Sequence, residues 1–382
     1  MDASPTVAAV SADATSDACL GAAPGAAAAE STASGETRSI DRTRLMSVLG
    51  GVDPGAGPAS EPWKRLAARA LEGEPPDRDT ARALLRASGR ELGDALGAAF
   101  TVRARHFGRR VKVCILENAR SGLCPEDCHY CSQSAVSTAD IERYPLRSTA
   151  RLVAAARRAE AAGARRFCMV VSARGPSDRD IDRFAAAARA IRTACTLEIC
   201  VSAGLMNLDQ ARRLREAGVG WVNHNLNTSR RFYPEICGTH TYDDRLETLR
   251  NVRAAGLATC SGVIMGMGET DDDLIDAAEA LRAMAVESLP VNFLHPIPGT
   301  PLEEQPTPTV ERALAGLCLF RLFNPASDIR AAGGRERTLG PYQPLALYAA
   351  TSIFAEGYLT TPGQAADGAH AMVAAMGFAV EP

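Results

Sequence analysis

Residues 159–171 read AEAAGARRFCMVV, residues 214–225 LREAGVGWVNHN and residues 252–264 VRAAGLATCSGVI. Each stretch ends a helical pattern at a glycine (Gly163, Gly218 or Gly256) and opens an apolar run within a few residues. A helix C-terminus favours a left-handed residue, which glycine adopts at little steric cost, so these glycines mark three helix stops. Repetition of this junction predicts strand-helix units around a parallel sheet.

Working outward, strands are expected at 112–118, 166–172, 197–202, 221–225, 258–265, 290–295 and 328–332, with a weaker one near Tyr358. Helices are expected at 178–194, 242–255 and 272–285, the last with an acidic first turn suited to the helix dipole. Eight such units define an α/β fold, a (β/α)8 TIM-type barrel, over residues 111–382 together with a C-terminal segment. Residues 56–110 form a helical N-terminal extension, broken at Pro75-Pro76 and expected to pack beside the barrel. Residues 1–55 are assigned to a low-complexity tail. Its first 40 or so are rich in Ala, Ser, Gly, Thr and Asp, carry no basic residue before Arg38, and are expected to be disordered.

The 382 residues are 46% hydrophobic, with 42 basic and 45 acidic side chains interspersed for a net charge of −3. That balance excludes a phosphate-tracking patch, so no nucleic-acid partner is expected. No apolar stretch reaches the roughly 18 residues a membrane span requires. Eleven cysteines without a secretory pattern fit the reducing cytoplasm and metal or redox use.

The sharpest chemical feature is CPEDCHYC at 124–131. A cubane iron-sulfur cluster has four irons, each normally taking one thiolate, so Cys124, Cys128 and Cys131 leave one iron open to a small molecule. Structural zinc prefers a closed set of four ligands, usually two separated pairs, and no second C-x2-C pair is present. His129 lies between two of the cysteines, where joint ligation is awkward. This loop follows the first expected strand, at the barrel face where chemistry gathers. Cys168, Cys200 and Cys260 fall in expected strands at positions able to face the interior. Free cysteine is also a common buried hydrophobe, the expectation for Cys114, Cys195, Cys237 and Cys318, while Cys19 lies in the tail.

The three-cysteine loop resembles the signature of the radical S-adenosylmethionine enzymes. The resemblance implies a 4Fe-4S cluster whose open iron chelates S-adenosylmethionine, with Tyr130 near the adenine. The segments FCMVVSARGPSDRD (167–180), LEICVSAG (197–204), TCSGVIMGMGET (259–270) and IRAAGGRE (329–336) resemble biotin synthases over about residues 111–378. That resemblance implies a 2Fe-2S cluster held by Cys168, Cys200, Cys260 and Arg330. The alternative for Arg330 is an ion pair with an acid such as Glu336.

In NHNLNTS (223–229) the resemblance puts Asn225 between S-adenosylmethionine and substrate, and Asn227 at the ribose, where some relatives carry Asp. His224 is expected to face away as a satisfied core histidine. Arg245 would reach the methionine carboxylate, its alternative being a surface helix arginine. Asn292 would match a ureido ring, Thr360 and Thr361 would receive the substrate carboxylate, and 262–269 would flank adenine. The implied reaction is sulfur insertion into dethiobiotin, the partners a flavodoxin or ferredoxin-type reductant and a second copy in a homodimer. Rival readings are another radical enzyme on the same barrel, such as a hydrogenase-cofactor maturase or methylornithine synthase, and a non-catalytic iron-sulfur carrier, which needs no substrate pocket.

Overall fold

The structure, a computed structural model, describes residues 42–122 and 124–382. The disorder expected before residue 40 and the placement of Cys19 lie outside the described residues. Strands β1 (Arg110–Arg120), β2 (Arg166–Val171), β3 (Glu198–Ser202) and β4 (Trp221–Asn223) are followed by β5 (Ala258–Cys260) and β6 (Val263–Met265). β7 (Ser288–Phe293), β8 (Asp328–Ala331) and β9 (Ser352–Phe354) complete the circuit. All pair in parallel in that order, β5 and β6 together filling one position, and β9 pairs back onto β1 to close the barrel. A short β10 (Ala379–Val380) adds to the start of β1.

Two strand assignments shift. The fifth strand, expected as one run, is interrupted at Ser261-Gly262, where the backbone passes so close to β7 that a Cβ on Gly262 would lie 1.8 Å from the Pro290 carbonyl oxygen. The eighth is β9 at Ser352–Phe354 rather than near Tyr358. Glu356 and Gly357 take φ values of 68° and 134°, which end the extended chain before Tyr358.

The outer helices are α5 (Thr149–Ala161), α6 (Asp178–Ala194), α7 (Leu208–Glu216), α8 (Tyr242–Ala254), α9 (Asp271–Ala283) and α10 (Val310–Phe323), preceded in the chain by α1 to α4 and followed by α11 (Arg335–Leu339) and α12 (Ala366–Ala375). Gly163, Gly218 and Gly256 stand just past α5, α7 and α8 with φ of 73°, 90° and 74°, as expected for helix stops. The N-termini are set as firmly. Ser177, Asn207, Thr241 and Thr270 cap α6, α7, α8 and α9, each in a reciprocal capping box with the residue three positions on.

The N-terminal helices are α1 (Arg42–Ser47), α2 (Glu61–Leu71), α3 (Arg78–Leu85) and α4 (Gly89–Phe107). Among the described residues, α1 already lies inside the stretch assigned to the tail, and Leu45 and Leu49 there are buried in the core. α3 and α4 pack on α10, which explains why the apolar VERALAGLCLFRLF is buried on nearly every side. Arg103 of α4 is fully buried and donates to the carbonyls of Ala350, Gly108 and Arg110, tying the extension to the N-terminal ends of β1 and β9. The opposite, C-terminal end of the barrel stays open.

Candidate active site

One cavity of about 380 Å³ runs from the C-terminal mouth into the barrel. Alternation along each strand decides what lines it. Cys114 and Leu116 come from β1, Arg166, Cys168 and Val170 from β2, Cys200 and Ser202 from β3, and Asn223 from β4. Cys260 from β5, Pro290 and Asn292 from β7, and Arg330 from β8 close the circle. The three strand cysteines and Arg330 thus share one chamber, although up to 162 positions separate them in the chain. Cys168 pairs in register with Cys200 across β2 and β3. A hydrogen bond donated to Cys168, followed by burial, holds the Cys200 thiol well above the usual range.

Arg330 is buried and donates to the Ser288 hydroxyl at 3.2 Å and the Cys260 thiol at 3.7 Å. Its carboxylate neighbour is Asp328 at 3.7 Å, not Glu336, which pairs with Arg335 instead. Arg330 Nε and Asp328 Oδ2 are buried without hydrogen-bond partners, whereas Arg166 pairs with the Glu198 carboxylate at 2.8 Å. A chamber of thiols beside a guanidinium group with an unmet Nε donor suits an anionic, sulfur-rich group, so these residues fit a two-iron cluster.

Cys124, Cys128 and Cys131 lie at the mouth on the loop after β1, and all three line the same cavity. Burial pushes Cys131 up to about 11 and Cys124 upward as well. Metal binding by these thiols would release their protons. The loop is held by the two acids inside the motif. Buried Glu126 accepts from Thr239 Oγ1 at 2.6 Å, from His240 and from Arg174 at 3.1 Å. Asp127 accepts from the backbone N–H groups of Gly238 and Thr239 at 3.0 and 3.2 Å. Burial opposes its charge, but hydrogen bonds led by Cys237 and Thr239 outweigh that and lower it to about 2.

Between the two cysteine sets stand the expected contact residues. Tyr130 accepts a hydrogen bond from Asn227 at 2.6 Å. Asn225 Oδ1 accepts from Asn223 at 3.0 Å and from the Gly262 N–H at 3.1 Å, which leaves its amide N–H groups for the cavity. Arg245 is not a surface residue. It is buried, lines the cavity, and donates to the Asn225 carbonyl at 2.7 Å and to Tyr233. Burial disfavours its charge, and Tyr130 and Tyr233 more than compensate, so it stays protonated.

Asn292 is partly committed: it donates to the Val263 carbonyl at 3.0 Å and accepts from the Gly333 N–H at 2.9 Å, retaining one N–H and one lone pair. The Thr360 hydroxyl lies 2.8 Å from that of Ser132, beside the cysteine loop, and the Thr361 carbonyl accepts from the Tyr358 N–H at 3.0 Å. His224 departs from expectation, since its Nε2 is buried with no partner and burial keeps the ring neutral.

Sequence reading missed several residues. Asn223 bridges the two depths, donating to Cys260 Sγ at 3.4 Å as well as to Asn225. Cys237 is not ordinary core: its thiol lies 3.7 Å from Cys128 and 3.3 Å from His240 Nδ1. Cys114 likewise lines the cavity. Cys318 alone has burial as the whole cause of its raised thiol. Period-two alternation marks Cys114 as inward once the phase of β1 is set by Leu116, but nothing local marks Cys237.

Residues 120–281 match the Radical SAM superfamily, and residues 290–379 match the Biotin and Thiamin Synthesis associated domain. A solved methylornithine synthase superposes with a TM-score of 0.72 at 20% identity, covering 83% of this chain and 97% of that one, which attests the fold. Fold and cysteine loop together define a radical S-adenosylmethionine enzyme. The chain is 45% identical over 324 residues to the biotin synthase of Bacillus pumilus, covering 85% of this chain and 98% of that protein. It is 51% identical over 287 residues to the biotin synthase of Thermus thermophilus, covering 74% and 87%. The chain belongs to the biotin synthases, radical sulfurtransferases that use a 4Fe-4S cluster, a 2Fe-2S cluster and S-adenosylmethionine. No helix among the described residues is long and apolar enough to cross a membrane.

Proposed function

We propose that this chain inserts sulfur into dethiobiotin through two metal centres at different depths of one cavity, the outer held by Cys124, Cys128 and Cys131. The inner centre is held by Cys168, Cys200 and Cys260, with Arg330 as the fourth group of the set. When bound, the outer cluster and S-adenosylmethionine supply the deoxyadenosyl radical and the inner cluster supplies sulfur. Everything else is positioning. Arg245 offers a protonated planar fork to the methionine carboxylate. Tyr130 presents its ring to adenine, and Asn227, fixed by the hydroxyl of Tyr130, meets the ribose.

Asn225, its carbonyl already engaged by Gly262 and Asn223, donates toward the ribose and the ureido group between the two centres. Asn292 contributes its remaining N–H and lone pair to the ureido ring, and Thr360 and Thr361 receive the substrate carboxylate at the mouth. Deep walls of Leu116, Val170, Ile264 and Phe354 exclude water from the reacting carbons. A flavodoxin or ferredoxin-type protein supplies electrons, two copies associate as a homodimer, and the enzyme works in the cytoplasm, where its cysteines, all free thiols among the described residues, stay reduced.

The observation that carries this reading is the convergence of Cys168, Cys200, Cys260 and Arg330 on one chamber beneath the loop cysteines. Mössbauer spectra after anaerobic reconstitution test it. Loss of a two-iron signal in a Cys168/Cys200/Cys260 triple alanine variant, with the four-iron signal kept, is expected; an unchanged spectrum refutes the inner site.

A further inference from the structure

Cys237 sits on the segment between the short 3₁₀ turn Tyr233–Glu235 and α8, against the loop of three cysteines. Its thiol lies 3.7 Å from that of Cys128 and 3.3 Å from His240 Nδ1. Ligand atoms of Cys128, Cys237 and His240 all fall within 4.8 Å of one another, and all three residues are buried. Among the described residues no other trio of histidines, cysteines and acids converges so closely. Backbone contacts fix the approach: the His129 N–H donates to the Ile236 carbonyl at 3.0 Å, and Asp127 accepts from the N–H groups of Gly238 and Thr239.

The spacing is that of a small tetrahedral ion. Zinc binds thiolate at about 2.3 Å and imidazole at about 2.0–2.1 Å, which places two sulfurs about 3.8 Å apart and a sulfur and a nitrogen about 3.6 Å apart. A cubane cluster gives each thiolate its own iron, so the approach of Cys237 to Cys128 serves no part of the outer cluster. The other ring nitrogen is supported as well. His240 Nε2 lies 2.9 Å from the Tyr233 hydroxyl, which accepts from Arg245, and an outer partner of this kind orients a metal-binding imidazole. Buried Glu126, hydrogen-bonded to Nδ1 in the metal-free chain, supplies a counter-charge beside the ion.

We propose that the cluster-free chain binds one zinc ion through Cys128, Cys237 and His240, with water in the fourth position, and that this ion and the outer cluster exclude each other because both require Cys128. The exclusion rests on the two-centre reading above; the zinc site does not. Binding is not a redox step: two S–H bonds give way to two sulfur-zinc bonds, two protons leave to solvent, and His240 gives the lone pair of Nδ1.

The test uses the full chain, stripped of metal by anaerobic chelation and loaded with one equivalent of zinc alone. Zinc X-ray absorption is expected to show two sulfurs and a histidine nitrogen. Three sulfurs, as the loop cysteines or the strand cysteines would give, overturn the site, and this reading on the parent does not depend on any variant folding. Against a chromogenic chelator, Cys237→Ser should bind zinc at least about 100-fold more weakly, beyond the roughly 10- to 100-fold effect of losing an outer partner. Cys124→Ala should bind it as the parent does. Equal affinity in Cys237→Ser and the parent also overturns the site. With iron and sulfide added, the zinc-loaded parent is expected to give no four-iron Mössbauer signal until the zinc is chelated, whereas zinc-treated Cys237→Ser gives it at once. A four-iron signal in the parent with its zinc retained overturns the exclusion. Absence of a four-iron centre in the zinc-free parent refutes the reading of the cysteine loop itself.

Discussion

The side-chain amide of Asn227 donates to the hydroxyl of Tyr130 at 2.6 Å, joining the segment after β4 to the loop of three cysteines. Asn227 holds this position with a φ of 69°, a left-handed conformation that asparagine tolerates better than most residues. The pair fixes an aromatic face beside the mouth thiols before any ligand arrives.

Tyr130→Phe keeps that face and deletes the oxygen, leaving the Asn227 donor free to turn. A net hydrogen bond contributes roughly 0.5–1.5 kcal/mol, so affinity for S-adenosylmethionine should fall roughly 2- to 10-fold. Equilibrium dialysis against the reconstituted enzyme checks this, with bound iron unchanged as the control. Undiminished affinity would deny Tyr130 and Asn227 a joint role.

Arg245→Lys retains charge but cannot serve the Asn225 carbonyl, Tyr233 and a carboxylate together. Charge-assisted hydrogen bonds contribute about 1.5–3 kcal/mol, so the expected loss of S-adenosylmethionine affinity is roughly 10- to 100-fold. The same dialysis reads it. Loss of thermal stability with normal affinity would instead mean that Arg245 only braces Tyr233.

Gly262→Ala forces a methyl into the Pro290 carbonyl oxygen, where backbone rather than a flexible side chain must move. The cost should reach or exceed the roughly 1–3 kcal/mol typical of overpacking. Because the Gly262 N–H also orients Asn225, residual enzyme should bind dethiobiotin more weakly. Urea unfolding of the apo form would expose an error here through an unmoved midpoint.

Asp273 gives a pH signature. Burial opposes its charge, yet hydrogen bonds from Arg231, Ser229 and Thr270 lower it from 3.8 to about 2. Since the folded-state value is depressed, its stabilisation is complete above the unfolded value and is lost as pH falls through about 2. After discount for the exposed Arg231, Asp273→Asn should cost about 1–2 kcal/mol at neutral pH. The gap from wild type should narrow below pH 4. A gap independent of pH would assign the loss to packing.

Contiguous features were legible before any coordinates. Glycine stops, capping residues and the spacing of Cys124, Cys128 and Cys131 act over a few residues, so the chain alone determined the alternating fold and the cluster loop. Strand phase also implied that Cys168, Cys200 and Cys260 face inward, and their surroundings resembled a known family. Closure of the barrel decided the rest. Cys237 meets Cys128 across 109 positions, and Cys114 and Arg330 line one chamber only because β9 joins β8 to β1. Arg245 reads as an ordinary helix arginine until α8 turns it toward Asn225 and Tyr233. Such juxtapositions depend on which strand edges pair and on how far each is shifted, and those are set by packing summed over the whole core, which no local segment encodes.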